Sequence, residues 1–109
     1  MSSKGYVYFI KCDKYYKIGA TTDVYSRFHS IQVCNPFDIS LFHVIKSDDM
    51  YLTEKLFQDM FGRVERRGEW FELSEKNLQY IKNGNYSSRI TASIGKANEP
   101  LTMPELIAM

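Results

Sequence analysis

Two segments near the amino terminus, separated by a short polar break, constrain the fold more than any other feature of the chain. Residues 5–11 and 15–19 are rich in β-branched and aromatic side chains, which favour strands. The break between them is Cys12-Asp13-Lys14. Two such runs with a short polar connection predict an antiparallel β-hairpin at the start of the chain.

The predicted hairpin has one apolar face and one face that carries polar groups. A two-residue turn at Cys12-Asp13 gives an apolar face made of Val7, Phe9, Tyr16 and Ile18. The opposite face then carries Tyr8 and Lys17 side by side, and a turn one residue later keeps both on that face. A lysine in the middle of the second strand is uncommon in a purely structural hairpin. Tyr8 and Lys17 are therefore candidate functional residues.

The sequence after the hairpin predicts helices and two further strands. A first helix, at about 24–31, follows the capping oxygens of Thr21-Thr22-Asp23, and a third strand is expected at about 38–46. A second helix is expected at about 50–61, where Gly62 stops it, a short strand at 69–73, and a helix that Ser74 caps and that runs to about residue 83. We predict an α+β fold with a small, mainly antiparallel three-stranded sheet flanked by helices.

Composition bounds the domain organisation and the kind of partner. A chain of 109 residues, 44% of them hydrophobic, is long enough for one domain with a real core. We assign residues 1–83 to this domain and residues 84–109, where Ser, Asn, Gly and Pro dominate, to a tail or an arm. A net charge of +1 argues against a protein that binds nucleic acid through a generally positive surface. It is compatible with a protein that contacts only a few phosphates.

The spacing of the cysteines predicts free thiols in a reduced compartment, and the hydropathy predicts no membrane span. Cys12 and Cys34 lie far apart without metal-type spacing, and no apolar run approaches the length of a membrane span. The amino terminus enters a strand directly, without a signal-peptide pattern. We expect a cytoplasmic or otherwise intracellular protein with free thiols and no membrane contact. A zinc site would need His29 and His43 together with both cysteines, which their spacing does not favour.

Two helical residues extend the candidate set of Tyr8 and Lys17. Arg27 lies off the centre of the apolar stripe of the first helix, and its guanidinium offers a fixed fork of donors suited to a phosphate. Glu54 stands at the border of the apolar face of the second helix, where a carboxylate can project into a cleft. Taken singly, each residue has a plainer interpretation as strand packing or solvated surface, so the prediction depends on all four.

The four residue types match the needs of phosphodiester hydrolysis. An attacking water must lose a proton, and the charge on the phosphoryl and leaving oxygens must be stabilised. We expect Tyr8 and Lys17 to handle that proton and Arg27 to bind the phosphate. One Mg²⁺ or Mn²⁺ ion held by Glu54 would act as Lewis acid and template.

The motifs also resemble those of the GIY-YIG endonuclease superfamily, over about residues 5–75. Val7-Tyr8 stands for "IY" and Lys17-Ile18-Gly19 for "YIG", and Gly68-Glu69-Trp70-Phe71 is similar to the closing "GEWF" strand of its phage and large-virus branch. The resemblance implies an enzyme that hydrolyses DNA with one divalent ion, in the host cell if the protein is viral. By position it assigns catalytic roles to Tyr8, Lys17, Arg27 and the metal ligand Glu54.

The chain departs from the superfamily pattern at three points. Lys17 replaces the second tyrosine, and Ile31 stands four residues after Arg27, where some members have a histidine. Many members also have an asparagine after the glutamate, for which Asn77 and Asn83 are candidates.

The remaining predictions concern a cluster of three arginines and the short strand that follows it. Arg63, Arg66 and Arg67 form a basic loop that would contact the DNA backbone, although a solvated loop is the commoner meaning of such a cluster. In the strand after it, Trp70 and Phe71 point to opposite faces, so one of them is expected in the core. The sequence contains no separate DNA-reading module, so specificity would come from loops, a homodimer or a partner protein.

Two other classes of function compete with the nuclease. A nucleic-acid- or protein-binding module could keep the fold without efficient turnover, and the missing asparagine and the low net charge favour it. A small structural protein, with an aromatic hairpin that is only core, would bind neither metal nor DNA.

Overall fold

The computed structural model describes residues 3–62, 65–67 and 70–97, with the backbone alone for 65–67. The elements in chain order are β1 (Gly5–Cys12), β2 (Tyr15–Thr21), α1 (Val24–Val33), β3 (Ser40–Ser47), α2 (Met50–Phe61), β4 (Glu65–Arg67), β5 (Trp70–Glu72), α3 (Glu75–Asn83), α4 (Ser88–Ile94) and a 3-10 turn at Gly95–Ala97. The predicted α+β class is confirmed, and α2 has the predicted bounds.

Within the described ranges the sheet has five strands in the order β3-β1-β2-β5-β4, and every pairing among them is antiparallel. The prediction of three strands with one short addition was therefore incomplete. β4 was missed because its sequence, Glu65-Arg66-Arg67, is entirely charged and shows none of the alternation that marks a strand. It forms because the backbone of β5 offers it hydrogen-bonding partners.

The hairpin turn lies at Asp13-Lys14, one residue later than the first of the two registers considered. Cys12 pairs with Tyr15, so Tyr8 stands opposite Gly19 and Ile10 opposite Lys17. Asp13 has a φ of 55°, in the left-handed region that Asp tolerates better than most residues and that hairpin turns require. Tyr8 and Lys17 consequently share a face as diagonal neighbours rather than as a direct pair.

Both faces of the sheet are covered, but by different helices. The main core, on the face of Val7 and Phe9, is filled by buried residues of α2, α3 and α4, including Phe57, Ile81 and Ile90. A second, smaller core lies on the opposite face, where Val24, Phe28 and Ile31 of α1 pack on the β1–β3 part of the sheet around Tyr8, Ile10 and Val44. Tyr8 itself is 1% exposed, so this side chain of the polar hairpin face is buried in the second core.

The predicted tail or arm begins with a helix that belongs to the main core. Ile90 and Ile94 of α4 are almost fully buried there. A buried hydroxyl cluster joins α4 to the rest, since the Thr53 hydroxyl lies 2.8 Å from that of Ser47 and 2.6 Å from that of Ser93. The domain boundary at residue 83 stays a prediction, and residues 98–109 lie outside the described part of the chain.

His43 of β3 makes the stability of the domain depend on pH. Burial, and secondarily the charge of Lys82, lower its pKa from 6.5 to about 4. The unfolded chain therefore takes up this proton at a higher pH than the folded chain does. The free energy of unfolding should be unaffected by this group above pH 6.5 and should fall between about pH 6.5 and 4, by about 2 kcal/mol after allowance for partial exposure of the ring.

Urea unfolding at several pH values in this window measures the effect of His43. The variant His43→Gln should flatten the pH dependence, and His29→Gln, at an exposed position on α1, is the matched control. An equally steep decline in His43→Gln would assign the effect to the carboxylates instead.

Candidate active site around the second strand

Tyr8 reaches from β1 across β2 because position 19 has no side chain. The hydroxyl and ring carbons of Tyr8 occupy the place where a Cβ on Gly19 would stand. Tyr8 and Gly19 are register partners, so the ring lies directly over the neighbouring strand. The glycine of the Lys17-Ile18-Gly19 motif therefore sets the path of the tyrosine side chain.

The outer edge of β2 is held by a side chain of α2. β5 pairs only with Tyr15, Tyr16 and Lys17, so no described strand pairs with the outer edge of β2 beyond residue 17. There the Gln58 Nε2 donates to the carbonyl oxygen of Ile18 at 2.9 Å. This hydrogen bond fixes α2 beside the motif. Sequence reasoning missed Gln58, although its spacing of one helical turn from Glu54 was a usable signal.

Glu54 lies on the same flank of α2 as Gln58, one turn nearer the amino terminus, and is half-buried. The opposite flank carries Leu52 and Leu56, which line a groove of about 450 Å³ against α4. Glu54 is therefore on the side of α2 that faces the edge of β2. The ring of Tyr8 lies over Gly19 of β2, and α2, the helix that carries Glu54, contacts the neighbouring residue Ile18 of the same strand.

Arg27 lies on the flank of α1 that faces β2. Gln32 marks the other flank, because its side chain donates to the Phe37 carbonyl and accepts from the Ile39 amide, both at 3.0 Å, in the segment that leads into β3. Arg27 is about 140° from Gln32 around the helix axis, with the buried stripe between them. Since β3 and β2 lie on opposite sides of β1, Arg27 is on the β2 side, and it is exposed.

The strand register brings Tyr8 and Lys17 to one face at β2, and the positions of Arg27 on α1 and Glu54 on α2 put them on the helix flanks nearer to this strand. Within the described ranges, no group of three or more His, Cys, Asp and Glu side chains is arranged to hold a metal. A half-buried single carboxylate still fits Mg²⁺ or Mn²⁺, which accept few protein oxygens and keep several waters. A single carboxylate does not supply the closed set of nitrogen and sulfur ligands that zinc would require. Cys12 and Cys34 are free cysteines.

β5 continues the candidate site on the far side of β2. Phe71 is the core residue of the predicted pair and is 2% exposed, so the expectation that one of the two is buried is confirmed. Trp70 pairs with Lys17 and lies on the opposite face, with the Lys17 Nζ 5.6 Å from the centroid of its ring. Gly68 and Glu69 lie outside the described residues.

The arginines predicted to bind DNA lie in the segment between α2 and β5. Arg63 lies outside the described residues, and only the backbone of Arg66 and Arg67 is described, within β4. Arg67 is the register partner of Trp70. Their contact with DNA stays a prediction.

The two candidate asparagines serve the ends of α3. The side-chain oxygen of Asn77 accepts from the Ser74 backbone amide, and the Asn77 backbone amide donates to the Ser74 hydroxyl; these two reciprocal hydrogen bonds form a capping box. The side-chain oxygen of Asn83 accepts from the Asn85 amide at 2.8 Å. Both side chains stabilise local backbone in the structure.

The protein is a small α+β domain built on a β-hairpin, with ionisable side chains gathered around the second strand. The family model of the T5orf172 domain matches residues 5–85, and the chain belongs to this family, which occurs in phage proteins and is associated with a nuclease-like fold. Neither a curated protein nor a solved structure matches the chain. None of the helices in the described ranges combines the length and apolar character needed to cross a bilayer.

Proposed function

We propose that the protein is a metal-dependent endonuclease of the GIY-YIG type that hydrolyses phosphodiester bonds in DNA with one divalent ion. The observation that carries the proposal is the position of Tyr8. Its ring lies over Gly19, on the face of β2 that also carries Lys17, and Gln58, one turn along α2 from Glu54, donates to Ile18 of the same strand. The T5orf172 family supports the same class of activity.

Each residue has one chemical role in this proposal. Arg27 binds the non-bridging oxygens of the scissile phosphate through its guanidinium. The proton that the attacking water loses passes to Tyr8, which accepts it as a phenolate, and the positive charge of Lys17 or of the bound ion would stabilise that phenolate. Glu54 holds Mg²⁺ or Mn²⁺, and the bound ion supplies Lewis-acid stabilisation of the phosphoryl and leaving oxygens.

Burial of Tyr8 favours a second candidate, a nucleic-acid-binding module without turnover. A phenol that is 1% exposed is screened from bulk water in this conformation. Turnover therefore requires that substrate binding open a path to the Tyr8 hydroxyl. A binding module needs no such opening, and the two candidates differ in the outcome of one assay.

Cleavage of a panel of supercoiled, linear, single-stranded and branched DNA with Mg²⁺ or Mn²⁺ tests the proposal. Metal-dependent nicking supports the endonuclease, and DNA binding without cleavage by the folded protein supports the binding module. Sequence specificity, where the panel reveals it, would come from loops, a second copy of the chain or a partner protein.

Replacing Arg27 by Ala should damage the chemical step more than DNA affinity. We expect kcat to fall at least about a hundredfold, because the charge on the phosphoryl oxygens is then unmet in the transition state, while KM changes only a few-fold. Arg89→Ala is a matched control, since Arg89 is an exposed arginine on α4, at the opposite flank of α2 from Glu54. An unchanged kcat with a raised KM would make Arg27 a docking contact.

A further inference from the structure

We infer that the face of β2 and β5 beside Lys17 is a subsite that stacks an unpaired nucleobase of the DNA substrate, with Trp70 as the platform. This inference rests on the proposed function and narrows its substrate class to DNA with an unpaired or splayed strand. We call this surface the aromatic shelf and define it by Tyr15, Lys17, Trp70 and Glu72.

The register places the four side chains of the aromatic shelf on one face. Tyr15 pairs with Glu72 and Lys17 pairs with Trp70, while the intervening pair, Tyr16 with Phe71, points into the main core. All four shelf residues are only partly buried. The described strand residues of the second core, which lies under α1, belong to β1 and β3. α1 therefore covers the β1–β3 half of this sheet face, and the aromatic shelf lies on the other half.

The shelf combines aromatic rings with ammonium groups. The Lys17 Nζ lies 5.6 Å from the centroid of the Trp70 ring, and the Lys14 Nζ lies 5.5 Å from that of Tyr15. Aromatic faces stack nucleobases irrespective of sequence, and nearby lysines neutralise the flanking phosphates. The only acidic member, Glu72, lies 3.6 Å from Lys14; the two side chains are 34% and 60% exposed, so water screens their ion pair and its contribution is small.

The position of Trp70 determines which base would bind. Lys17 is shared between the aromatic shelf and the proposed catalytic centre, so a base on Trp70 belongs to a nucleotide next to the scissile phosphate. In matched duplex DNA both faces of every base are stacked on neighbours, and extrusion of a base costs free energy. An unpaired base offers its face without that cost. The shelf therefore favours single-stranded or branched DNA over matched duplex.

Trp70 is the single tryptophan of the chain, so its fluorescence reports on the subsite directly. We would titrate the Glu54→Ala protein with a single-stranded oligonucleotide and with a matched duplex of the same sequence, in the presence of a chelator. The single strand should quench the emission of Trp70 strongly and saturably, and the duplex should quench it much less. Equal quenching by both, or none by either, would overturn the inference.

Substitution of Trp70 provides the second measurement, by anisotropy of a labelled oligonucleotide. Trp70→Leu should weaken single-strand binding about ten- to a hundredfold and duplex binding less than about twofold, and Trp70→Phe should recover most of the loss. Tyr25→Leu, at a 67% exposed aromatic on α1, is the matched control and should change neither affinity. Unchanged single-strand affinity in folded Trp70→Leu would also overturn the subsite.

The two proposals can fail separately. If the wild-type protein cleaves DNA but Trp70→Leu keeps full affinity for the single strand, the subsite is wrong and the nuclease stands. If no DNA form is cleaved but the single strand quenches Trp70, the nuclease is wrong and the shelf binds DNA in a module without turnover.

Discussion

Glu54→Ala should abolish metal-dependent DNA cleavage while leaving the fold intact. Glu54 is the proposed ligand of the divalent ion, and loss of the ion removes several kcal/mol of stabilisation from the transition state, so we expect at least about a thousandfold lower kcat/KM. The side chain is only half-buried at the edge of the apolar face of α2, so its truncation creates no core cavity. Cleavage rates against Mn²⁺ concentration, together with thermal unfolding, measure both effects.

Asp59→Ala is the matched control for Glu54. Asp59 is an exposed carboxylate on the same helix, where it forms an i,i+4 pair with Lys55 at 3.1 Å. Such a pair contributes little to stability, so both cleavage and unfolding should stay near wild type. Full activity in Glu54→Ala, or equal losses in the two variants, would remove Glu54 from the metal site.

Gly19→Ala should impair both folding and cleavage, because the added Cβ meets the ring and hydroxyl of Tyr8. Tyr8 is packed in the second core and cannot move away freely, so we expect a loss of about 1–3 kcal/mol of unfolding free energy. The displaced hydroxyl should also lower kcat. Urea unfolding and single-turnover cleavage on the same preparations measure the two consequences.

Gly62→Ala is the matched glycine control. In the described part of the chain, apart from Gly62 itself and its immediate neighbours along the chain, nothing lies within 4 Å of a Cβ at Gly62, and its φ of −56° is ordinary for any residue. A second test pairs Gly19→Ala with Tyr8→Leu. The double variant should be more stable than the sum of the single losses, since the collision is gone, but should remain inactive. Strict additivity of the two losses would show that Tyr8 does not lie over Gly19.

Local sequence patterns predicted the first two helices, the hairpin and the third strand, and the faces of their side chains. The period-2 pattern of residues 5–19 put Tyr8 and Lys17 on one face in both registers with a two-residue turn, because these pair Tyr8 with residue 17 or residue 19, and positions two apart in a strand lie on the same face. Ser74 was correctly predicted to cap α3, and its hydroxyl accepts from the Asn77 amide at 3.1 Å. The bounds of α2 followed from its helical spacing and from Gly62.

Only the tertiary structure decided what covers each face and edge. Burial of Tyr8 beneath α1, the hydrogen bond from Gln58 to β2, the pairing of β4 and the packing of Ile90 depend on contacts between residues far apart in sequence. The periodicity of a helix or strand shows which of its sides is apolar and which is polar, because this depends on the sequence of that element alone. It does not record which distant element lies against that side, because that depends on the packing of the whole chain.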